Sequence, residues 1–428
     1  MSYEHVMRRA SIVAVLAGML LASGCNGSNS DNGNDSAVRT MPDPAVGTAV
    51  EEAQQNDTPV AQQIVAADNT FGLALFNSLN RGEASNVAIS PTSIALALQM
   101  LYNGAEGSTQ RAMSQALQLQ GLGALTVDQD NAALQAALIN PDPKVQLTMA
   151  NSLWMHLAKN AVLPSFISTN ETYYAAEIGD LSGAPDDVNA WVASATNGLI
   201  TTILPPADYS HVIAVLANAI YFKGEWTTAF DTDQTKTTPF MLADGTEVSC
   251  EMMNQTGSFP YIFGPNFQGV ELPYGQTGRF SMLIILPAPG VDLDNFVANM
   301  TGEELSTWIG ELKPAEISIG LPRFRANYSS SLVNALTSLG MGVAFNHNTA
   351  DFAGLASGPR VYISDVEHET VVQVDESGTV AAGATTGTVS IALVPPAMTM
   401  NRPFFYAIVD GKTGALVFIG KLMDPSQS

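Results

Sequence analysis

Positive charge is scarce in this sequence. Across 428 residues, 17 Lys and Arg stand against 40 Asp and Glu, a formal net charge of −23. So acidic a surface repels phosphate backbones and heparin-type polyanions, which argues against nucleic acid or polyanion as a partner. Cysteine is scarcer still, and Cys25 and Cys250 are too few for a disulfide framework. The five histidines show no metal-ligand spacing, and neither a G-x-S-x-G elbow nor a Gly-rich phosphate loop occurs. Those absences point away from catalysis, metals and cofactors. The apolar run from Ile12 to Ala22 falls well short of the about 20 residues a membrane-spanning helix needs. What is present is material for a large core, 46% hydrophobic, with 35 Gly and 23 Pro spread without a collagen period. At roughly 100–200 residues per domain, the length allows one large domain or two to three smaller ones.

The N-terminus reads as an address. Arg8-Arg9 precede the apolar run and Ser23-Gly24-Cys25 follow it, the layout of an exported leader. Leu21-Ala22-Ser23-Gly24-Cys25 resembles a bacterial lipoprotein signal, which implies removal of residues 1–24 and lipidation of Cys25. The expected location is the cell envelope, at the outer membrane or cell surface, with periplasmic or extracellular exposure left open. Asn26, where Asp is lacking, resembles lipoproteins sent to the outer membrane. Residues 26–66 are rich in Asn, Ser, Asp, Gly, Gln and Ala, and no aromatic precedes Phe71 in that stretch. Such a composition buries too little surface to offset chain entropy, so 25–67 is expected to be a flexible tether. Cys250 reads as a buried structural thiol.

From residue 68 to 428 the patterns are those of one folded domain. Phe71, Leu75 and Leu79 recur at helical spacing. Ser90-Pro91 opens a helix, Thr92 to Leu101, apolar around most of its circumference and so buried, and Gly104 falls where it should stop. Shorter helices are expected near 108–119 and 128–138. Segments 146–155, 212–222, 269–273, 281–287 and 361–374 read as strands, several apolar enough to be central. Pro403 leads into Phe404–Val409, and Ala415–Gly420 completes a hairpin around Asp410-Gly411. Helices early and strands late predict an α+β fold.

Residues 378–396 form a long, nearly charge-free segment between strand-like blocks. No Lys or Arg lies between Arg360 and Arg402. The composition suits a flexible Gly/Ala linker. It also alternates: Thr379, Ala381, Gly383, Thr385, Gly387, Val389 and Ile391 share one side, with Val380, Ala382, Ala384, Thr386, Thr388 and Ser390 opposite. Without proline before Pro395, the segment could live as a loop or as an added strand.

Four stretches in order resemble the serpin family of protease inhibitors. They are Asn86–Pro91, Leu216–Trp226, Leu321–Phe324 with the helix ending Leu339-Gly340-Met341, and His368 through Asp375–Thr385 to Asn401–Phe404. The resemblance covers about residues 68–425. It implies three β-sheets, about nine helices and an exposed reactive-centre loop near 377–400. The implied activity is suicide inhibition of serine proteases, in which the cleaved loop inserts as a strand and traps the acyl-enzyme. The resemblance places the bait bond at Ala392-Leu393, with cleavage after Ile391 or Leu393 left open. Small, uncharged residues there suit elastase-like pockets, with chymotrypsin- or subtilisin-like targets open. The implied hinge is Glu376, Gly378, Thr379, Ala381, Ala382, Gly383 and Ala384. Ser90, Ser93, Asn218 and His368 are implied to support sheet opening from beneath, and Trp226 and Arg323 at its top, Arg323 pairing with Glu376. Ser377 and Gly387 depart from the usual pattern and soften the loop. The alternatives are a non-inhibitory binding protein on the same fold and an inhibitor of papain-like cysteine proteases. No cofactor or metal is implied, and a monomer is expected.

Overall fold

A computed structural model describes residues 47–139, 141–156, 161–358, 360–378 and 395–427. Ten α-helices lie among them. The first five are α1 Thr48–Gln55, α2 Gln62–Asn80, α3 Pro91–Tyr102, α4 Gly107–Ala116 and α5 Ala124–Leu138. The others are α6 Pro164–Tyr174, α7 Asp186–Ala195, α8 Leu293–Ala298, α9 Gly302–Glu311 and α10 Val333–Ser338. The strands begin with β1 Val87–Ile89, β2 Val145–Met155, β3 Ala161–Val162, β4 Glu177–Asp180 and β5 Ala214–Gly224. They continue with β6 Lys236–Met241, β7 Glu247–Phe263, β8 Phe267–Tyr274, β9 Phe280–Pro287, β10 Lys313–Pro322 and β11 Phe324–Ser331. Last come β12 Ala356–Ser357, β13 Asp365–Val374, β14 Ala397–Thr399, β15 Phe404–Asp410 and β16 Leu416–Leu422. They form sheets of nine, five and two strands, an α+β architecture of the expected three-sheet kind.

The five-stranded sheet, ordered β11-β13-β5-β2-β4, positions everything that follows. Its β5 is buried along nearly its whole length because both faces are covered. Leu216, Ile220 and Phe222 point into the main core, while Val215, Ala217 and Ala219 pack under Trp191 and Val192 of α7 and Ile200, Ile203 and Leu204 beyond it. On the core side lies α3, every residue of it buried, which explains its lack of a polar face. Pro91 takes its first turn, and Ser90 caps it by accepting the Ser93 amide at 3.2 Å.

The tether expected over 25–67 ends sooner than the sequence suggests. Helix α1 starts at Thr48, and α2 starts at Gln62. Val50 and Ala53 are buried against Ala132, Ala133 and Ala136 of α5. Small residues on both helices allow close approach, and Ile139 and Tyr173 pack against them. Gly47 matters here: a Cβ would stand 2.4 Å from the Thr172 carbonyl oxygen. Residues 1–46, including the leader and Cys25, lie outside the described residues. Among the described residues no helix is long and apolar enough to cross a membrane.

The strands expected at 212 and 361 begin at Ala214 and Asp365. The 17-residue β7 was not expected, because its buried Cys250, Met252, Met253 and Phe259 are spread among polar residues and make no long apolar run. Cys250 on β7 is buried, and burial raises its thiol pKa, as suits a structural cysteine.

Candidate functional site

The pairing of β5 with β13 is parallel, from Val215–Asp365 to Tyr221–Val371. It then stops, although β5 stays paired with β2 to Gly224 and β13 with β11 to Val374. The sheet is therefore joined at mid-strand and open at one end of this seam. Two side-chain clusters sit along it.

The first crosses the seam from beneath. His368, Asn218 and Asn151 stand at one register level on β13, β5 and β2. His368 Nδ1 lies 2.7 Å from Asn218 Oδ1, while Asn218 Nδ2 donates to Asn151 Oδ1 at 2.6 Å and Ser93 Oγ at 2.7 Å. The Ser90 amide donates to His368 Nε2 at 3.3 Å. With Nε2 accepting, the ring proton sits on Nδ1 and is donated to Asn218. Burial pushes the imidazole down to about 3, so the ring is neutral throughout the physiological range. Parting the strands breaks the His368–Asn218 bond, and leaving such a buried group unpaired costs about 1–3 kcal/mol.

The second cluster occupies the open end, about 23 Å away at roughly 3.3 Å per residue. There the chain leaving β13 turns through Asp375–Gly378, closed by paired backbone bonds of 3.1 Å between Asp375 and Gly378. Gly378 bridges Asp375 on one side and Glu225, just past β5, on the other, antiparallel to both. It lies in the mouth of the seam with φ +105°, where a Cβ would sit 2.3 Å from the Trp226 nitrogen. The Trp226 amide donates to the Ser377 carbonyl at 3.0 Å and its indole to the Asp375 carbonyl at 2.9 Å. Its ring stacks on Tyr274 at 4.2 Å.

Glu376 is buried in this turn and bound twice by Arg323, through Nε at 3.2 Å and through Nη2. Thr235 Oγ1 donates to it at 2.6 Å. Burial works to raise the Glu376 pKa, but the Arg323 and Thr235 hydrogen bonds outweigh it and hold the carboxyl below the usual range. Of the pair, only Arg323 reaches solvent.

Ser90, Ser93, Asn218 and His368 are thus brought together at mid-seam, and Trp226, Arg323, Glu376 and Gly378 at its mouth. Thr379, Ala381, Ala382, Gly383, Ala384, Ala392 and Leu393 lie outside the described residues. Beyond them, Ala397–Thr399 pairs in parallel with Ser318–Gly320 at the edge of the nine-stranded sheet. Gly378 and Ala397 are thus held at different sheets. Sequence reasoning missed Asn151, Thr235 and Tyr274. Only Asn151 left a signal, an amide side chain within a segment that reads as a strand. Among the described residues, no group of three or more His, Cys, Asp or Glu could hold a metal ion.

Residues 66–425 match the serpin family model, described as serine protease inhibitor. The chain is 32% identical over 385 residues to a leukocyte elastase inhibitor of Equus caballus, covering 85% of this chain and 100% of that one. It is 35% identical over 374 residues to serpin B6 of Bos taurus, covering 84% and 98%. Among solved structures, the thermophilic serpin tengpin in its native state aligns with a TM-score of 0.80 at 30% identity, covering 86% of this chain and 95% of that one. Together with a seam open at one end and a turn set in its mouth, these matches identify the chain as a member of the serpin family.

Proposed function

We propose that this serpin is a single-use inhibitor of serine endopeptidases, acting by insertion of its cleaved loop between β5 and β13. The observation that carries this reading is Gly378, already turned back and paired on both sides in the mouth of the seam. A strand continuing from it runs antiparallel to β5 and β13 alike. Insertion replaces one slanted parallel ladder with two antiparallel ones, which are stronger per residue. Residues 379–391 would span about 40 Å at roughly 3.3 Å per residue. At about 1 kcal/mol net per ladder hydrogen bond, the gain is on the order of 10 kcal/mol.

The protease serine Oγ attacks the Ala392 carbonyl carbon. Its proton passes through the protease histidine to the Leu393 nitrogen as the Ala392–Leu393 bond breaks. Insertion then carries the tethered acyl-enzyme along and deforms its oxyanion hole, whose donors supply several kcal/mol to deacylation. Ala392 suits a small pocket, and the kinship with proteins named leukocyte elastase inhibitors supports elastase-like targets. A cut after Leu393 would instead suit chymotrypsin- or subtilisin-like enzymes. The protein itself is then a consumed substrate and no enzyme, acting as a monomer. Cys25, lipidated at the cell envelope, would hold the domain at a membrane.

Incubation with an elastase-like protease should give an SDS-resistant band at the summed mass, and the released fragment should begin at Leu393. Clean loop cleavage with fully active protease would overturn the trap. Thr379→Arg, which puts an unpaired charge where the sheet must receive a small residue, should convert the inhibitor into a substrate. Cys25→Ser should move the protein from the membrane to the soluble fraction, and continued membrane partitioning would overturn the anchor.

A further inference from the structure

The face of β13 opposite His368 carries a row of acids. Burial alternates along the strand, so that Asp365, Glu367 and Glu369 share one face while Val366, His368 and Thr370 share the core face. The acidic row faces the layer formed by α7 and the connection after it, since Val371 on the same face packs into that layer. Both glutamates are half-buried, and among the described residues neither has a salt bridge.

Each packed element can be checked for a compensating charge. On β5 the residues level with the row are Val215, Ala217 and Ala219, none ionisable. The row is flanked on β11 by Ser331 and Ser329, and Ser331 Oγ donates to Asp365 Oδ1 at 2.5 Å. The stretch 160–222, which holds α7 and its connection, contains no Lys or Arg. From it come Tyr209, whose pKa is raised by burial and then by Glu367 and Asp365, the flanking Asp208 and His211, and Asp186 and Asp187 on α7. Along the sheet, Arg325 on β11 stands level with Gln373, four residues past Glu369, and Lys223 on β5 lies beyond the last paired position, four residues past Ala219. Arg325 Nε is taken by Asn327. Among the described residues, three carboxyl groups thus line the seam strand with no Lys or Arg opposite.

We propose that this row is a pH-sensitive clasp on the β5–β13 seam. With the glutamates protonated, β13 stays seated beneath the α7 layer; with them ionised, the row repels itself, needs water, and the seam parts more readily. The chemistry agrees. Burial, then the charge and hydrogen bond of Asp365, then the charge of Glu369, raise Glu367 to about 8, and burial raises Glu369 to about 7. Carboxyls with raised folded-state pKa values stabilise fully below their unfolded value of 4.5, and that contribution is lost as pH climbs through about 7 to 8. The use of an opened seam rests on the inhibitory reading above, whereas the clasp itself does not.

Amide hydrogen exchange of the full chain, corrected for intrinsic rate, tests this between pH 6 and 8.5. Segments 215–221 and 365–371 should open at least about tenfold more often at the higher pH, each pKa unit of linkage being worth about tenfold. The paired strands β8 and β9 should not change. In Glu367→Gln/Glu369→Gln the rise should shrink to about twofold or less. An undiminished rise in that variant overturns the proposal. So does a rise shared equally by β8 and β9, which would assign the effect to global loosening, for instance through buried Asp68, itself raised to about 8. Should the double variant not fold, Glu369→Gln and the wild-type contrast between the two strand pairs decide alone. No protease enters the measurement, so loss of the clasp and loss of the trap are separate results.

Discussion

Two places in this molecule pair strands under opposite rules. In the nine-stranded sheet, β15 is buried throughout and held on both sides by antiparallel ladders, to β9 and to β16. Its Phe405 meets Phe76 of α2 edge-on at 5.9 Å. At the β5–β13 seam the pairing is parallel and stops short of the strand ends, with a polar chain beneath it and acids above it. The contrast teaches that apolar packing makes the permanent joints, and that hydrogen bonds, which can be exchanged for equivalent ones, make the separable joint.

The sharpest break of that comparison is cleavage of the loop itself. If the seam is the separable joint, a cut near Ala392 should raise Tm by roughly 20 °C, following a gain on the order of 10 kcal/mol. Scanning calorimetry of cut and intact protein checks this, and an unchanged Tm means the seam holds no reserve. Next in size, Phe405→Ala should cost about 3–5 kcal/mol, equally in both forms, because β15 takes no part in insertion. Denaturant titration of both forms would read it. His368→Ala should cost about 2 kcal/mol in the intact protein and much less once cut, because an inserted strand already separates His368 from Asn218. Equal losses would move His368 to the permanent side.

The smallest effect belongs to Glu376. Its carboxyl is held low in the folded state, so its stabilisation is present above the unfolded value of 4.5 and is lost as pH falls below that. Glu376→Gln should therefore lower Tm modestly at pH 7, by the effect of about 1 kcal/mol or less, and leave it unchanged near pH 3. A difference that persists in acid would point to packing in place of charge.

Much of both joints was legible in the sequence. The apolar runs 281–287 and 404–409 announced their strands, since burial on both faces writes itself directly into side-chain polarity. The paired chemistry of Asn218 with His368 came only through family resemblance, because residues 150 positions apart leave no local trace of their contact. Helix α1 was hidden because its docking rests on Ala and Val against Ala, below any threshold of hydrophobic weight. Strand β7 was hidden because its few buried side chains are scattered among polar ones. Thr235 contributes one hydroxyl to Glu376, and nothing in its neighbourhood marks it.

The stacking of Trp226 on Tyr274 at the mouth of the seam has an optical consequence. Of four tryptophans, Trp226 touches the turn that must move, and Trp154 and Trp191 meet edge-on at 6.3 Å in the layer over β5. Trp308 on α9 packs against Phe267 of β8 and Phe296 of α8, apart from the seam strands. Any rearrangement of the seam should therefore register in the protein's own fluorescence, with one indole left over as a built-in silent standard.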